Sequence, residues 1–379
     1  MRLTRFFVLT ILLISTQYAQ TKASRDSLID QGVKAIYSLQ FTQAETIFRS
    51  VLTDDPESPE SRFFLAMIDW WKILVDLDNE SYDDIFFQKL EDVIYYCDKR
   101  LDNNPRDTEA LFFKGGAIGF RGRLRALRES WLKAADDGRE ALPIVSAVAE
   151  LDPSNKDVDL GRGIYNYLAS VIPERYPLIK PLMIFFPSGN KEEGLRQLEN
   201  TAANGRYAKY EAMYFLVTIY QNYEDNPYKA EEFAKRLTDE FPENPVFLKW
   251  RGRAAVRRGD TQLWSEIFTG LYNGADAGKF GFTEVVKRES AYYLGLYYKN
   301  LNAPDSALKY LNVSEELSRK LDNEPTGYLA NTLLFQGMVY DVLGRREEAI
   351  AKYEEVLDID EFNGSHNAAK IYINIPFKY

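Results

Sequence analysis

The stretch GMVYDVLGRREEAIAKY, residues 337–353, carries the pattern that decides the fold. Its first glycine is followed twelve residues later by Ala349 and sixteen residues later by a large side chain, Tyr353. The same offsets recur over residues 295–311 and 32–48. A small residue allows two helices to approach closely and the large one fills the neighbouring gap. The recurrence therefore predicts a stack of helical hairpins.

Small residues at the start of each second helix can be followed through most of the chain, with Trp264 as the exception. These positions are Ala44, Val93, Ala141, Gly194, Ala230, Ala307 and Ala349. A proline lies twelve residues after four of them, at Pro56, Pro105, Pro153 and Pro242. Because proline lacks an N–H donor and clashes with the preceding turn, it is expected to end these helices. The sequence predicts an all-α solenoid of about eight helical hairpins.

In this pattern the chain resembles the tetratricopeptide repeat family. The repeat of that family has a small residue and a tyrosine in its first helix, then alanine, an aromatic residue and proline in its second. Residues 330–363 match best, through Gly337, Tyr340, Ala349 and Tyr353. The similarity extends over about residues 24–363, although a related helical repeat is the alternative around Trp264. The resemblance implies a TPR-like αα-superhelix whose first helices line a groove.

The first nineteen residues have the features of a secretory signal peptide. Arg2 and Arg5 precede the apolar run 6–14, and the small residue Ala19 precedes the expected cleavage before Gln20. The run is shorter than the roughly 20 apolar residues of a membrane span, with an uncleaved anchor as the alternative. No cysteine near Ala19 provides a lipid attachment point. We therefore expect a periplasmic or secreted protein.

The composition narrows the class of partner. The formal net charge is −10, which argues against binding to nucleic acid, since phosphates require a basic surface. Cys97 is the only cysteine, so no intramolecular disulfide can form. It stands where other repeats carry a large core residue, and we predict that its thiol is buried in the packing.

Residues 161–190 interrupt the repeats. The segment 178–186 is apolar and lies among prolines that predict a broken helix or an ordered crossing loop; these are Pro173, Pro177, Pro181 and Pro187. We favour a plug packed against the repeats over a membrane- or partner-contacting patch. Residues 161–195 are also similar to a segment of the eukaryotic inclusion-body-clearance family of tetratricopeptide proteins, which implies a shared scaffold. Asn190 is predicted to cap the next helix.

No pattern selects a catalytic, cofactor-binding or metal site. His366 is the only histidine, so a multi-histidine metal site is impossible and a Ser-His-Asp triad would depend on a residue beyond the last repeat. The glycines at 115, 116 and 119 lack the strand and the Lys-Ser/Thr pair of a phosphate loop. Carboxylates are plentiful, but nothing selects a glycosidase pair. We expect no catalysis, no cofactor and no metal.

Arginine stripes are the first candidates for partner binding. Arg121, Arg125 and Arg128 share one helical face, and guanidinium groups are suited to a partner's carboxylates. The interpretation we favour is a solvated face neutralised by acids of the same region, namely Glu129, Asp136 and Asp137. A second stripe with the same alternatives consists of Lys249, Arg253 and Arg257.

The first helices of the last two clear repeats are the second candidates. By the family register they present Glu289, Tyr292, Leu296, Lys299, Asn331, Leu334, Met338 and Asp341. The first repeat presents Ile29, Val33 and Ile36 in the same way. Mixed apolar and polar surfaces of this kind suit an extended peptide or a partner helix.

Together the patterns predict a non-enzymatic, exported scaffold that binds protein or peptide partners in the periplasm or cell envelope. The expected organisation is a signal peptide (1–19), repeats with inserted length (20–160), the apolar insertion (161–190), further repeats (191–363) and a C-terminal tail (364–379). The alternative is a glycan-binding protein or polysaccharide-active enzyme on an α/α scaffold. Its stacking platforms would be Trp70, Trp71, Tyr165 and Tyr167, although core packing is the interpretation we favour for the tryptophan pair.

Overall fold

A computed structural model describes residues 24–175 and 186–379 of the chain. Within these ranges all regular structure is helical, with seventeen α-helices, one short 3-10 helix and no strand. Sixteen of the α-helices follow one another as eight helix–turn–helix pairs, so the predicted all-α helical-repeat fold is confirmed. The chain divides into two compact units, unit 1 ending at Leu216 and unit 2 beginning at Val217.

Unit 1 contains four complete helix pairs. Its helices are α1 (24–37), α2 (Phe41–Asp54), α3 (Pro59–Val75), α4 (Asp83–Asn103), α5 (Thr108–Leu127), α6 (Trp131–Leu151), α7 (Val158–Arg175) and α8 (Lys191–Asn204). A ninth helix, α9 (Lys209–Asn222), begins in unit 1 and ends in unit 2.

Unit 2 continues the same alternation of first and second helices. These are α10 (Pro227–Glu240), α11 (Pro245–Arg258), α12 (Thr261–Asp276), α13 (Glu284–Asn300), α14 (Pro304–Leu321), α15 (Gly327–Val342), α16 (Arg346–Leu357) and α17 (Ser365–Asn374). Helices α11, α13 and α15 are the first helices of their pairs, and α17 packs against α16 and α15.

The sequence itself stops and starts these helices. Pro56, Pro105, Pro153 and Pro242 each lie two residues beyond the end of a helix, as the missing proline N–H requires. Side-chain caps satisfy free N–H groups at several helix starts. The Asn190 side chain accepts a hydrogen bond from the Glu193 N–H at 2.9 Å, which confirms the predicted cap. The Glu193 carboxylate accepts from Arg196 and Gln197 instead of closing a capping box.

Close approach of paired helices follows the predicted register. A Cβ atom at Gly32 would lie 2.5 Å from the Phe48 ring, and one at Gly295 would lie 2.5 Å from Leu311. A Cβ atom at Gly337 would likewise collide with the ring of Tyr353. Real Cβ atoms essentially never make such short contacts, so a larger residue at any of the three glycines would require the facing side chain to shift.

The middle of the chain is more regular than the sequence indicated. Gly252 faces Phe268 in the α11–α12 pair, which repeats the sixteen-residue offset. The alanine position of this pair is occupied by Trp264, whose indole is 4% exposed and packs edge-on against Tyr297. The larger side chain fits because neighbouring aromatic rings surround it, so Trp264 marks a substitution within a repeat.

Helix α7 covers the first half of the predicted insertion. It runs without a break through Gly163 and Tyr167 to Arg175, with Pro173 inside its last turn, where one backbone hydrogen bond is lost. The helix crosses α8 where Gly163 and Gly194 meet, since a Cβ on either glycine would collide with the other helix. Residues 1–23 and 176–185 lie outside the described residues, and with them the signal peptide and nearly all of the apolar segment 178–186.

Replacing Gly337 with alanine tests the helix crossing. Gly337→Ala is expected to lower the free energy of unfolding by about 1–3 kcal/mol, because the new methyl group overlaps the Tyr353 ring. The matched control is Gly270→Ala on α12, where a Cβ meets no atom within 4 Å. That change is expected to raise stability by roughly 0.5–1 kcal/mol, since alanine favours helices. Denaturant unfolding measures both, and equal effects would contradict the assigned crossing.

Candidate partner-binding face

The first-helix face of unit 1 is filled by the unit's own side chains. Ile29, Val33 and Ile36 are at most 3% exposed, so the prediction that they line an open groove is wrong. The start of α9 packs into this space, with the Tyr210 ring 4.9 Å from the Tyr37 ring. Burial of these aromatic rings stabilises unit 1.

The rings proposed as sugar platforms belong to this interior. Trp70, Trp71 and Tyr167 are 0% exposed, so none can stack on a glycan. Tyr165 is half-buried and its hydroxyl donates to the Pro187 carbonyl at 2.5 Å. Core packing is thus the correct interpretation of the tryptophan pair, and the glycan alternative loses three of the four rings on which it rested.

The first arginine stripe is engaged within unit 1. Arg121 and Arg125 both pair with Asp137, which is 1% exposed. Arg128 donates to both carboxylate oxygens of Asp83 at 2.6 and 3.0 Å, in the first turn of α4. These pairs connect α5 to the helices on either side of it. Among the acids expected to neutralise a solvated face, Asp137 is the one that the structure brings to the stripe.

Unit 2 presents a partly buried aromatic row along its first helices. The ring of Tyr292 on α13 lies 5.3 Å from Tyr328 and 5.9 Å from Phe335, both on α15. All three side chains are partly exposed. We call Tyr292, Tyr328 and Phe335 the aromatic row. Burial raises the pKa of Tyr292 to about 12, so its hydroxyl is protonated at neutral pH.

A buried ion pair fixes one end of the aromatic row. Arg253 on α11 donates to both carboxylate oxygens of Glu289 on α13, at 2.5 and 2.7 Å. Burial alone would raise the pKa of Glu289, but the Arg253 charge and hydrogen bonds hold it below the usual value. Arg253 also donates to the Tyr328 hydroxyl at 3.4 Å. The pair therefore links the first helices α11, α13 and α15.

The other end of the row carries a lysine and an aspartate. Lys299 on α13 is 7% exposed, and its Nζ lies 5.4 Å from the Phe335 ring centre. Burial lowers the pKa of Lys299, and within the described ranges no carboxylate pairs with its ammonium group. Asp341 on α15 accepts from Arg346 at 2.8 Å and from the Tyr353 hydroxyl at 2.9 Å. The two groups give this end a fixed positive and a fixed negative charge.

The remaining predicted groove residues differ in accessibility. Leu296 and Asn331 are partly exposed, and Asn331 donates to the Gly327 carbonyl of its own helix at 2.8 Å. Leu334 and Met338 are 7% and 8% exposed and belong to the apolar core of the last repeat. The sequence reasoning missed Tyr328 and Phe335. Their positions, three before Asn331 and three before Met338, place them beside the predicted face and would have identified them.

Other chemically reactive groups lie apart from this face. Cys97 is fully buried, as predicted, and burial raises the pKa of its thiol to about 12. The ring nitrogen Nε2 of His366 lies 2.8 Å from the Ile359 carbonyl. Among the described residues, no group of three or more His, Cys, Asp or Glu side chains is placed to hold a metal ion. No described helix has both the length and the apolar character needed to cross a membrane.

Breaking the buried ion pair tests its role in organising the face. Arg253→Met leaves the Glu289 carboxylate buried without its partner. We expect this change to lower the free energy of unfolding by about 3–5 kcal/mol at pH 7. The native pKa of Glu289 is lowered, so its stabilising effect is present above the unfolded pKa near 4.5 and is lost as pH falls through the native pKa. The difference in free energy of unfolding between wild type and variant should therefore shrink below pH 4.5. Chemical denaturation at pH 7 and pH 3.5 measures it.

The control for this experiment is Lys279→Met, which removes an exposed ion pair with Glu243. That change is expected to lower the free energy of unfolding by less than about 1 kcal/mol at either pH. A loss at Arg253 no larger than the loss at Lys279 would contradict the assigned coupling of the three helices.

Comparisons with known proteins assign this chain to no family. No model of a known protein family matches the chain, and no curated protein matches its sequence. Among solved structures, the Rap protein in complex with competence and sporulation factor is 11% identical, with a TM-score of 0.45 and coverage of 93% of this chain and 96% of Rap. The type IV pilus biogenesis factor PilW is 12% identical, with a TM-score of 0.40 and coverage of 64% and 92%.

A tetratricopeptide repeat protein from Parabacteroides merdae is 14% identical, with a TM-score of 0.37 and coverage of 80% of this chain and 100% of its own. The fold assignment itself rests on the helix pairs and their crossings. The described residues thus form an all-α array of paired helices.

Proposed function

We propose that this chain is a non-enzymatic, exported scaffold that binds a protein partner through the first-helix face of unit 2. The observation that carries the proposal is the aromatic row of Tyr292, Tyr328 and Phe335, which is partly exposed between two fixed groups of charges. The corresponding face of unit 1 is filled by its own side chains. Among the first-helix faces of the described chain, we therefore assign that of unit 2 to the partner.

The chemistry of the face suits an extended peptide or a helix. Tyrosine and phenylalanine rings offer large contact areas at low conformational-entropy cost, and aromatic residues are enriched in the energetic centres of interfaces. The Arg253–Glu289 pair and the Asp341 cluster hold the flanking helices in place before a partner arrives. Such preorganisation reduces the ordering cost of binding. The formal net charge of −10 further disfavours nucleic acid as the partner.

Export to the periplasm or cell envelope is the second part of the proposal. It is supported by the basic and apolar pattern of residues 1–19. The absence of cysteine pairs is compatible with that location, because stability comes from apolar and aromatic packing and needs no oxidising environment.

Site-specific photo-crosslinking tests the binding face. The photoreactive residue p-benzoylphenylalanine in place of Tyr328 is expected to capture a partner in cells as a discrete higher-mass band. The matched control is the same residue in place of Tyr228, which is 69% exposed on the second helix α10. Equal capture at both positions, or capture only at position 228, would refute the assigned face.

Cell fractionation of the full chain tests export. We expect the protein in the periplasmic or extracellular fraction, with a mass corresponding to a mature chain that begins at Gln20. The control replaces Arg2 and Arg5 with glutamate, which should retain the precursor inside the cell because the basic n-region is lost. An unprocessed wild-type chain in the cytoplasm would reject this part of the proposal.

A further inference from the structure

A short segment of the chain lies on the proposed binding face. After α17 ends at Asn374, residues 375–379 (IPFKY) form no regular structure and contact both α13 and α15. Ile375 and Tyr379 are 67% and 55% exposed, whereas Phe377 is half-buried. The 375–379 segment is therefore held mainly by one aromatic anchor, in the manner of a bound peptide.

The backbone of the segment is bound by a buried carboxylate. The Phe377 N–H donates to Oδ2 of Asp341 at 2.8 Å. The Asp341 side chain is 0% exposed and also accepts from Arg346 and from the Tyr353 hydroxyl. Arg346 donates in addition to the Ile373 carbonyl at 2.5 Å. Because the Asp341 contact uses a main-chain N–H, any extended peptide with a suitably placed residue can make it.

The aromatic side chains of the segment lie against Lys299. The Phe377 ring centre is 5.6 Å from Lys299 Nζ, and the Tyr379 hydroxyl donates to the Lys299 backbone carbonyl. The Lys299 ammonium is thus placed between Phe335 and Phe377. Lysine that is 93% buried normally has an anionic partner. No side chain of the segment supplies one, since the only charged side chain among residues 375–379 is Lys378.

We propose that residues 375–379 act as a built-in competitor, occupying in cis a subsite whose ligand in trans is an extended peptide with an aromatic anchor and an adjacent acidic residue. The partner peptide would take over the Asp341 contact through its backbone and the Phe377 position through its aromatic ring. Its carboxylate would pair with Lys299, a contact that the segment itself lacks. This inference rests on the proposed function and specifies its ligand.

Peptide binding to a truncated chain tests the competitor. The probe is a fluorescein-labelled peptide of residues 371–379, IYINIPFKY, titrated against the full chain and the chain lacking residues 375–379. A tethered segment has an effective concentration on the order of millimolar, so we expect at least tenfold tighter binding to the truncated chain. Replacing the phenylalanine of the peptide with alanine should abolish binding, and replacing its lysine with glutamate should tighten it at least threefold. Circular dichroism verifies that the truncated chain remains folded.

A second variant keeps the chain at full length. Lys378→Glu changes one exposed side chain and gives Lys299 an acid in cis. It should strengthen occupancy by the segment, so that the labelled peptide binds still more weakly than it does to wild type. The opposite result, or no change, would count against the role of Lys299.

The inference is overturned if full-length and truncated chains bind the labelled peptide equally, or if neither binds it. It is also overturned if the segment inserts into a second copy, which size-exclusion chromatography would reveal as a dimer that the truncation abolishes. Crosslinking at position 328 separates this inference from the proposed function. If a partner is captured but the peptide does not bind, the proposed function is supported and the competitor is rejected. If the peptide binds but no partner is captured, the competitor is supported and the proposed function is rejected.

Discussion

The crossing of the two helices in each pair, where a glycine faces a large side chain, is the constraint on which the rest of the structure depends. At Gly337 the absence of a side chain lets Tyr353 of the second helix lie against the backbone of the first. The close contact between Tyr353 and the backbone at Gly337 fixes the orientation of α15. It therefore determines which residues of α15 face α13 and α16. Glycine lowers the helical preference of α15, and the complete burial of Tyr353 offsets that cost.

The same helix-pair geometry leads to two different first-helix faces. In unit 1 the face is filled by aromatic rings, and its arginines pair with buried or half-buried carboxylates. In unit 2 the rings of Tyr292, Tyr328 and Phe335 are partly exposed, and charges are fixed at both ends of the row. A buried ion pair such as Arg253–Glu289 adds little net stability because both groups lose hydration. Its main effect is to hold three first helices in register.

Asp341 joins the core of the last repeat to the binding face. Its carboxylate accepts from the hydroxyl of the crossing residue Tyr353 and from the Phe377 N–H. The side chain that fills the helix crossing therefore also orients the group that binds the 375–379 segment. Burial lowers the pKa of Lys299, whose ammonium group lies near the Phe335 ring and pairs with no carboxylate among the described residues. Asp341 has hydrogen-bond donors, whereas Lys299 lacks an anionic partner within the described part of the chain. Such a face favours a ligand that offers a donor to Asp341 and a negative charge to Lys299.

By itself, the sequence determined the class of fold and much of its register. Prolines and capping residues fix helix ends locally, and the offset from Gly337 to Tyr353 identifies a helix crossing because it depends only on helix geometry. The same register placed Tyr292, Lys299 and Asp341 on one face. It did not distinguish a filled face from an open one, since Val33 and Leu296 each follow the crossing glycine of their repeat but differ in burial. Only the tertiary structure decided this, because burial depends on residues distant in sequence: α9 packs against Tyr37, and residues 375–379 return to Lys299 and Asp341.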